Sequence, residues 1–371
     1  MLKAAVDLNS IRDNFLFLRK KTQSRIMAVV KADAYGHGLK EVSISLASAG
    51  AETFGVGTVR EGLLLRNCLD RVHIYSLLGP MEEEDYQIIR SRRIIPFIHS
   101  WEQLKALSEF SRTCTEKIPV ALKLETGMNR LGFRGSDLEM LLELWNNCQG
   151  LELDMLASHL ALTDDPMKQD KVKKQLEIFM KYCRAFANKG LEFKKSIANS
   201  AALIDCPETH LDMVRPGIAL YGDNPVRSSS LRSKGQGLVQ AMHITAPVLA
   251  VHELKAGEGV SYGLCFTAPK DMRIAVIGCG YAHNYSRMLS NRGWMFYQGE
   301  RLPVLGRVCM QLTVLDATCV PGISAGEKVH VLGGSGENSI SAGDTARWWG
   351  TVAYEVFCLL GRNPREYIRR G

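Results

Sequence analysis

The feature that most constrains this chain is a repeat of texture: short β-type apolar runs alternate with longer amphipathic stretches over the first two thirds. Runs at 25–31, 54–59, 72–77, 94–98, 120–125, 155–159, 195–199 and 213–220 read as strands. Between them lie helical patterns at 39–49 (stopped by Gly50), 81–90, 101–110 (behind the cap candidate Ser100), 137–148 and 168–189 (stopped by Gly190). Neighbouring parallel strands need a crossover rather than a tight turn. Eight strand-to-helix alternations in roughly 220 residues match a closed parallel (β/α)8 barrel of the TIM type. A doubly wound open sheet shares this rhythm, and strand counting alone does not decide closure.

Past residue 222 the texture changes. The polar, Ser- and Gly-rich stretch 223–237 reads as a junction. Runs at 242–254, 272–277, 294–305, 312–317 and 328–332 then suggest antiparallel strands, and a helical pattern at 344–360 follows. The expected organisation is an α/β barrel over 8–230 and a mainly antiparallel β domain over 231–371, with 1–7 as an edge strand of the latter. A length of 371 residues suits two domains.

The formal net charge of +7 is scattered, with no long basic tract interleaved with aromatics. That argues against a nucleic-acid partner and leaves a mild attraction for anionic ligands. The ten cysteines form no Cys-x-x-Cys pair and no ligand-like spacing with histidine. No metal is expected, and the thiols suit a reducing, cytoplasmic setting. The apolar stretch before Asp7 is too short for a signal core, and no run reaches a spanning length, so no membrane partner is expected.

Chemistry enters at the end of the first barrel strand. In Val30-Lys31-Ala32-Asp33-Ala34-Tyr35-Gly36-His37-Gly38 a lysine closes an apolar run immediately before a glycine-punctuated turn, the catalytic rim of a barrel. An isolated strand-end lysine usually snorkels to solvent. Partial desolvation here would instead lower its pKa and suit it to condense with an aldehyde. The block resembles the pyridoxal-phosphate attachment signature of the alanine racemase family. The resemblance implies that Lys31 carries pyridoxal 5'-phosphate and that the Tyr35 hydroxyl reaches the phosphate.

Further blocks follow in family order. Lys123-Leu-Glu-Thr-Gly-Met-Asn-Arg130 resembles the segment whose arginine approaches the cofactor's phenolic oxygen and the substrate carboxylate, a role suited to a planar guanidinium. Lys123 matches a position that is carbamylated in some members. Ser158-His159 places an imidazole where the family stacks one near the ring. Asn199-Ser200 and Arg215-Pro216-Gly217-Ile218 resemble the phosphate cup, formed by Ser200, Gly217 and Ile218 with Asn199 nearby, and the arginine opposite the pyridine nitrogen. A cation there disfavours ring protonation and makes the cofactor a weaker electron sink, which favours simple proton return.

From the C-terminal part, Ser261-Tyr262-Gly263 resembles the catalytic tyrosine block, and Met310 the segment that helps bind the substrate carboxylate. The resemblance implies a homodimer in which each subunit completes its partner's site. Lys31 and Tyr262 then exchange the α-proton of a small amino acid from opposite faces, Lys31 serving the D- and Tyr262 the L-enantiomer. A free tyrosine has a pKa near 10, so it needs help as a base, from cations such as Arg130 or the imidazole of His159.

Departures from the pattern are Ser196 in place of a supporting histidine, His283 and Asn284 in the segment 281–285, and Gln311 after Met310. The block around Arg362 is displaced, so the family's second phosphate-contacting aromatic has no evident counterpart there. L- and D-alanine are the expected substrates. A serine or broad-specificity racemase is the neighbouring reading, ahead of a non-racemising cofactor-binding protein or a barrel decarboxylase.

Overall fold

The computed structural model describes residues 2–163, 169–226 and 235–369 and divides them into two compact units. Residues 227–234 of the expected junction lie outside the described residues. One unit comprises Ile11–Ala34 and Leu39–Leu238; the other comprises Met1–Ser10, Tyr35–Gly38 and Val239–Gly371.

The strands, in chain order, begin with β1 (Lys3–Asp7). Those of the larger unit are β2 (Arg25–Val29), β3 (Thr53–Val56), β4 (His73–Ser76), β5 (Ile94–Ile98), β6 (Ile118–Lys123), β7 (Leu151–Ala157), β8 (Lys194–Ser196) and β9 (Met213–Val214). They form one parallel sheet in the order β8-β7-β6-β5-β4-β3-β2-β9. The ends meet: Asp212 N–H donates to Lys195 O at 3.2 Å and Arg215 N–H to Ala198 O at 2.9 Å. These bonds decide for a closed barrel over an open sheet. Strands buried on both faces read as continuous apolar runs, as in Ile94–Ile98. Met27, Tyr75, Ile95, Phe97, Ala121, Met155 and Met213 fill the interior.

Local chemistry sets the crossovers. Ser100 caps the helix Trp101–Ser111, and Thr58 with Glu61 forms a capping box on the helix Val59–Arg66. Gly50 and Gly190 stop their helices at φ of 94° and 75°, conformations open to a residue without a Cβ. Several expected strands ran too far at their C-terminal ends, those at 25–31, 120–125, 155–159 and 195–199 by two or three residues; two others overran for evident reasons. The run at 54–59 ends at Val56, because Thr58 already caps a helix. The run at 213–220 ends at Val214: Pro216 offers no N–H, and Ile218–Tyr221 coils into a tight helical turn.

The smaller unit contains β10 (Met242–Leu254), β11 (Gly259–Val260), β12 (Phe266–Thr267), β13 (Met272–Ile277), β14 (Trp294–Tyr297), β15 (Glu300–Leu305), β16 (Thr313–Asp316), β17 (Lys328–Leu332) and β18 (Arg365–Ile368). Its main sheet runs β13-β16-β15-β14-β17-β10-β1-β18. The long β10 is shared: Ile244–Pro247 pairs with β17, and beyond a bulge at Val248 and Ala250 the strand pairs with β13, closing a ring of six strands. β1 lies between β10 and β18 and is no edge strand; the half-polar β18 occupies the edge. The expected helix at 344–360 is two, Ala342–Trp349 and Ala353–Leu360, separated at Gly350 with φ 82°. Among the described residues no helix is long and apolar enough to cross a membrane, and no group of His, Cys, Asp and Glu is arranged to hold a metal.

Candidate active site

The barrel's C-terminal rim begins with Lys31, directly after β2. From Ala32 to Tyr35 four successive residues sit at φ 53–54°, a left-handed turn of non-glycine residues. Such residues cost roughly 1–2 kcal/mol each, so the surrounding bonds must hold the turn. Ala34 N–H donates to Val30 O, Leu39 N–H to the Asp33 carboxylate at 2.7 Å, and Ala32 N–H to Glu61 Oε1 at 2.8 Å. Lys31 itself is exposed, so the expected desolvation of its amine is not found. What surrounds it is charge, because Lys31, Lys123, Arg130 and Arg215 all act electrostatically on His159.

Lys123, half-buried at the end of β6, has its pKa held well below the usual lysine range by desolvation and by the positive charges of Arg215 and Arg130. His159 is depressed well below 6.5, first by desolvation and then by Lys123, Arg215, Arg130 and Lys31. Its imidazole is therefore neutral at neutral pH. Arg215 lies 3.5 Å from His159 Nδ1, which places the acceptor nitrogen toward the guanidinium. A neutral ring can assist a tyrosine only through a hydrogen bond, not as a cation.

Arg215 is buried, and burial lowers its pKa to about 10, leaving it cationic at neutral pH. Its guanidinium donates to Ser196 Oγ at 2.5 Å and to Ser158 O, and Ser196 Oγ donates onward to Met213 O at 2.6 Å. Ser196 thus fills the supporting position with a hydroxyl relay. No described carboxylate pairs with Arg215, so it is not the ordinary ion pair that a buried arginine usually makes. An anionic ligand would supply the missing negative charge.

Ser200, buried, accepts Gly217 N–H at 2.8 Å and Ala219 N–H at 3.4 Å. No acceptor among the described residues takes its hydroxyl proton, which is therefore available to an anion. Asn14 binds Leu220 O and the Tyr221 hydroxyl binds Val29 O, anchoring the Gly217–Ile218 segment to β2. Asn199 serves differently, because its oxygen accepts from Ala202 N–H and the Thr163 hydroxyl while its amide donates to Leu160 O. Its side chain braces neighbouring loops and has little left for a ligand. Arg130 is exposed, on a loop whose amides at Gly127, Met128 and Arg130 are gathered by the Glu125 carboxylate.

The smaller unit collects the other candidates. Ser261, at φ 65°, starts the tight turn Tyr262–Leu264, and its hydroxyl donates to Arg307 O at 2.7 Å. Tyr281 N–H and Ala282 N–H donate to Cys309 O and Met310 O. Three loops carrying Tyr262, Tyr281 and Met310 are thereby tied together, with Tyr262 72% and Met310 58% exposed. His283 and Asn284 follow Tyr281 in the same turn, and Gln311 is exposed beside Met310. Tyr35, buried, lies with its ring centroid 5.8 Å from that of Tyr354. Tyr354 is an aromatic candidate that no block in the sequence marks: it lies in the helix Ala353–Leu360, whereas Arg362 of the displaced block is exposed. Helical spacing within 344–360 was the available signal.

Two arginines, Lys31, a neutral imidazole and a buried hydroxyl with an uncommitted proton fit an anionic, phosphorylated aromatic cofactor. The alanine racemase N-terminal domain profile matches residues 6–225, and the C-terminal domain profile matches 241–367. An alanine racemase of Nitratidesulfovibrio vulgaris is 44% identical over 362 residues, 98% of this chain and 96% of that protein. One from Lawsonia intracellularis is 38% identical, covering 96% of this chain and 94% of its own length. Among solved structures, the alanine racemase of the D-cycloserine producer Streptomyces lavendulae superposes with TM-score 0.93 at 30% identity, covering 100% of this chain and 97% of that one. The Bartonella henselae enzyme, with covalently bound pyridoxal phosphate, gives TM-score 0.89 at 29% identity and 99% coverage of both chains. With both domain profiles matched in order and relatives spanning nearly its whole length, the chain belongs to the alanine racemase family.

Proposed function

We propose that this chain, a pyridoxal-phosphate-dependent alanine racemase, inverts its substrate with two bases, Lys31 and Tyr262, contributed by different subunits of a homodimer. What supports the assignment of Lys31 is its place two residues past the end of β2, within electrostatic reach of the neutral His159 imidazole on which Arg215 also acts. Pyridoxal phosphate, once bound, supplies an electron-withdrawing ring that acidifies the α-hydrogen of the amino acid.

Ser200 with the backbone at Gly217 and Ile218, joined by Tyr35, holds the phosphate. His159 lies against the ring, and Arg215 keeps the ring nitrogen unprotonated. Arg130, with Met310 from the partner subunit, binds the substrate carboxylate. Lys31 takes the α-proton of the D-enantiomer and the Tyr262 hydroxyl that of the L-enantiomer, each returning a proton to the face opposite the other. Asn199 braces the phosphate cup without touching its ligand. The exposure of Tyr262, Leu264, Met288 and Met310 supports a covering partner, since large apolar side chains grouped on tied loops are costly to leave in water. The enzyme acts in the cytoplasm and supplies D-alanine for peptidoglycan.

Borohydride reduction of the purified holoenzyme followed by peptide mapping tests the assignment. The expected result is a label on Lys31, together with a Tyr262→Phe variant that keeps its visible absorbance but no longer racemises L-alanine. A label on another lysine, or full activity in Tyr262→Phe, contradicts it.

A further inference from the structure

Glu61 plays two roles with one carboxylate. As the third residue of the helix Val59–Arg66, it accepts Gly57 N–H at 2.7 Å and Thr58 N–H at 3.2 Å through Oε2, which is ordinary capping. Its other oxygen does something that capping does not need. Oε1 accepts the N–H of Ala32, 29 residues upstream, at 2.8 Å. Ala32 follows Lys31 directly and opens the left-handed turn.

The intervening space is shaped to permit this. Gly57 has no side chain, and a Cβ there would lie 2.9 Å from Glu61 Oε2 and 3.6 Å from Lys31 Cβ. The backbone at Gly57 thus passes close to the lysine stem and to the carboxylate together. A left-handed turn of alanines and aspartate is not a conformation the chain adopts unaided. Ala32 is exposed, so without Glu61 its amide would turn to water and the turn would lose its first tether.

We infer that Glu61 is a positioning residue that fixes the direction of the Lys31 side chain by clamping the first βα loop of the barrel to the second. The inference rests on the reading of Lys31 as cofactor lysine and D-face base. A shorter side chain cannot span both loops. An amide at this position would turn its NH2 toward one of the two sets of backbone donors, so Gln serves only one loop at a time.

Glu61→Ala and Glu61→Gln test this against Thr58→Ala, which weakens the same helix cap but leaves the reach to Ala32. In the apoenzyme, amide hydrogen exchange over residues 29–38 should rise in Glu61→Ala and stay unchanged in Thr58→Ala. Misplacing an amine by about an ångström costs up to about a hundredfold in rate. That loss must be equal in both directions of kcat/KM, because the substrate's mirror images are equal in energy. The isotope effect separates the bases: with α-deuterated substrate it should grow for D-alanine and not for L-alanine, since only the Lys31 step is slowed.

Exchange and isotope effects unmoved in both Glu61 variants, with borohydride still labelling Lys31, would overturn the inference alone. A label on another lysine would overturn the assignment of Lys31 beneath it. If Glu61→Ala does not fold, Glu61→Gln carries the same measurements with the same two outcomes.

Discussion

At Arg215 a serine hydroxyl helps to hold a buried charge. The hydroxyl of Ser196 accepts from the guanidinium and donates to the Met213 carbonyl, so one small side chain satisfies a donor and an acceptor at once. Ser196→Ala leaves both without that partner, and losing a buried hydrogen bond to a charged group costs roughly 1.5–3 kcal/mol. Urea unfolding should show a loss of that order, with lower kcat/KM; an unchanged midpoint would show that Ser196 does not support Arg215. Lys123 invites a different chemistry. Its depressed pKa leaves an amine nucleophilic enough to add carbon dioxide, forming an N–C bond and releasing a proton, and the new negative charge would meet Arg130 and Arg215. With 13C-bicarbonate, a carbamate resonance should appear in the enzyme and be missing from Lys123→Arg; identical spectra would exclude the modification.

Among the secondary elements, those legible in the sequence owe their signal to burial or to a cap. Ile94–Ile98 matched its run residue for residue because both faces are covered. Trp101–Ser111 was found through Ser100 and Gly190 marked the end of the long helix, since local hydrogen bonding and φ set those boundaries. The helix Leu8–Arg19 and the strand β18 escaped notice. The first lacks an acidic first turn, and the second alternates half-buried and exposed residues. The candidate site was legible where its residues lie in contiguous blocks at strand ends, as at the proposed Lys31, Arg130 and Arg215. Glu61 and Tyr354 were not, because their roles depend on contacts with residues far away in the chain. Pairing of elements also sets a pH response. His243 on β10 and His330 on β17 both have pKa values below 6.5 through desolvation, with Asp7 and the backbone at Gln240 opposing the shift at His243 and the charge of His243 adding to it at His330. The folded state then binds fewer protons than the unfolded chain, so their stabilisation is complete above about pH 6.5 and is lost as pH falls below it. Thermal melts from about pH 8 to about pH 5 should show Tm falling most steeply below 6.5, and less so in a His243→Gln, His330→Gln double variant. Equal slopes in the two proteins would assign the acid sensitivity elsewhere.

Across the whole molecule, the proposed site draws on both units: Lys31, Arg130, His159, Ser200 and Arg215 belong to the barrel unit, while Tyr262 and Met310 stand exposed on tied loops of the β unit. If every site draws Lys31 from one subunit and Tyr262 from its partner, two inactive variants can repair one another. Lys31→Ala and Tyr262→Phe, each inactive alone, should regain about a quarter of wild-type activity after subunits are mixed and exchanged, because half the dimers are mixed and each mixed dimer has one intact site. Restored racemisation in that proportion establishes that a lysine and a tyrosine from different chains serve one substrate carbon. A mixture that stays inactive after demonstrated subunit exchange contradicts it.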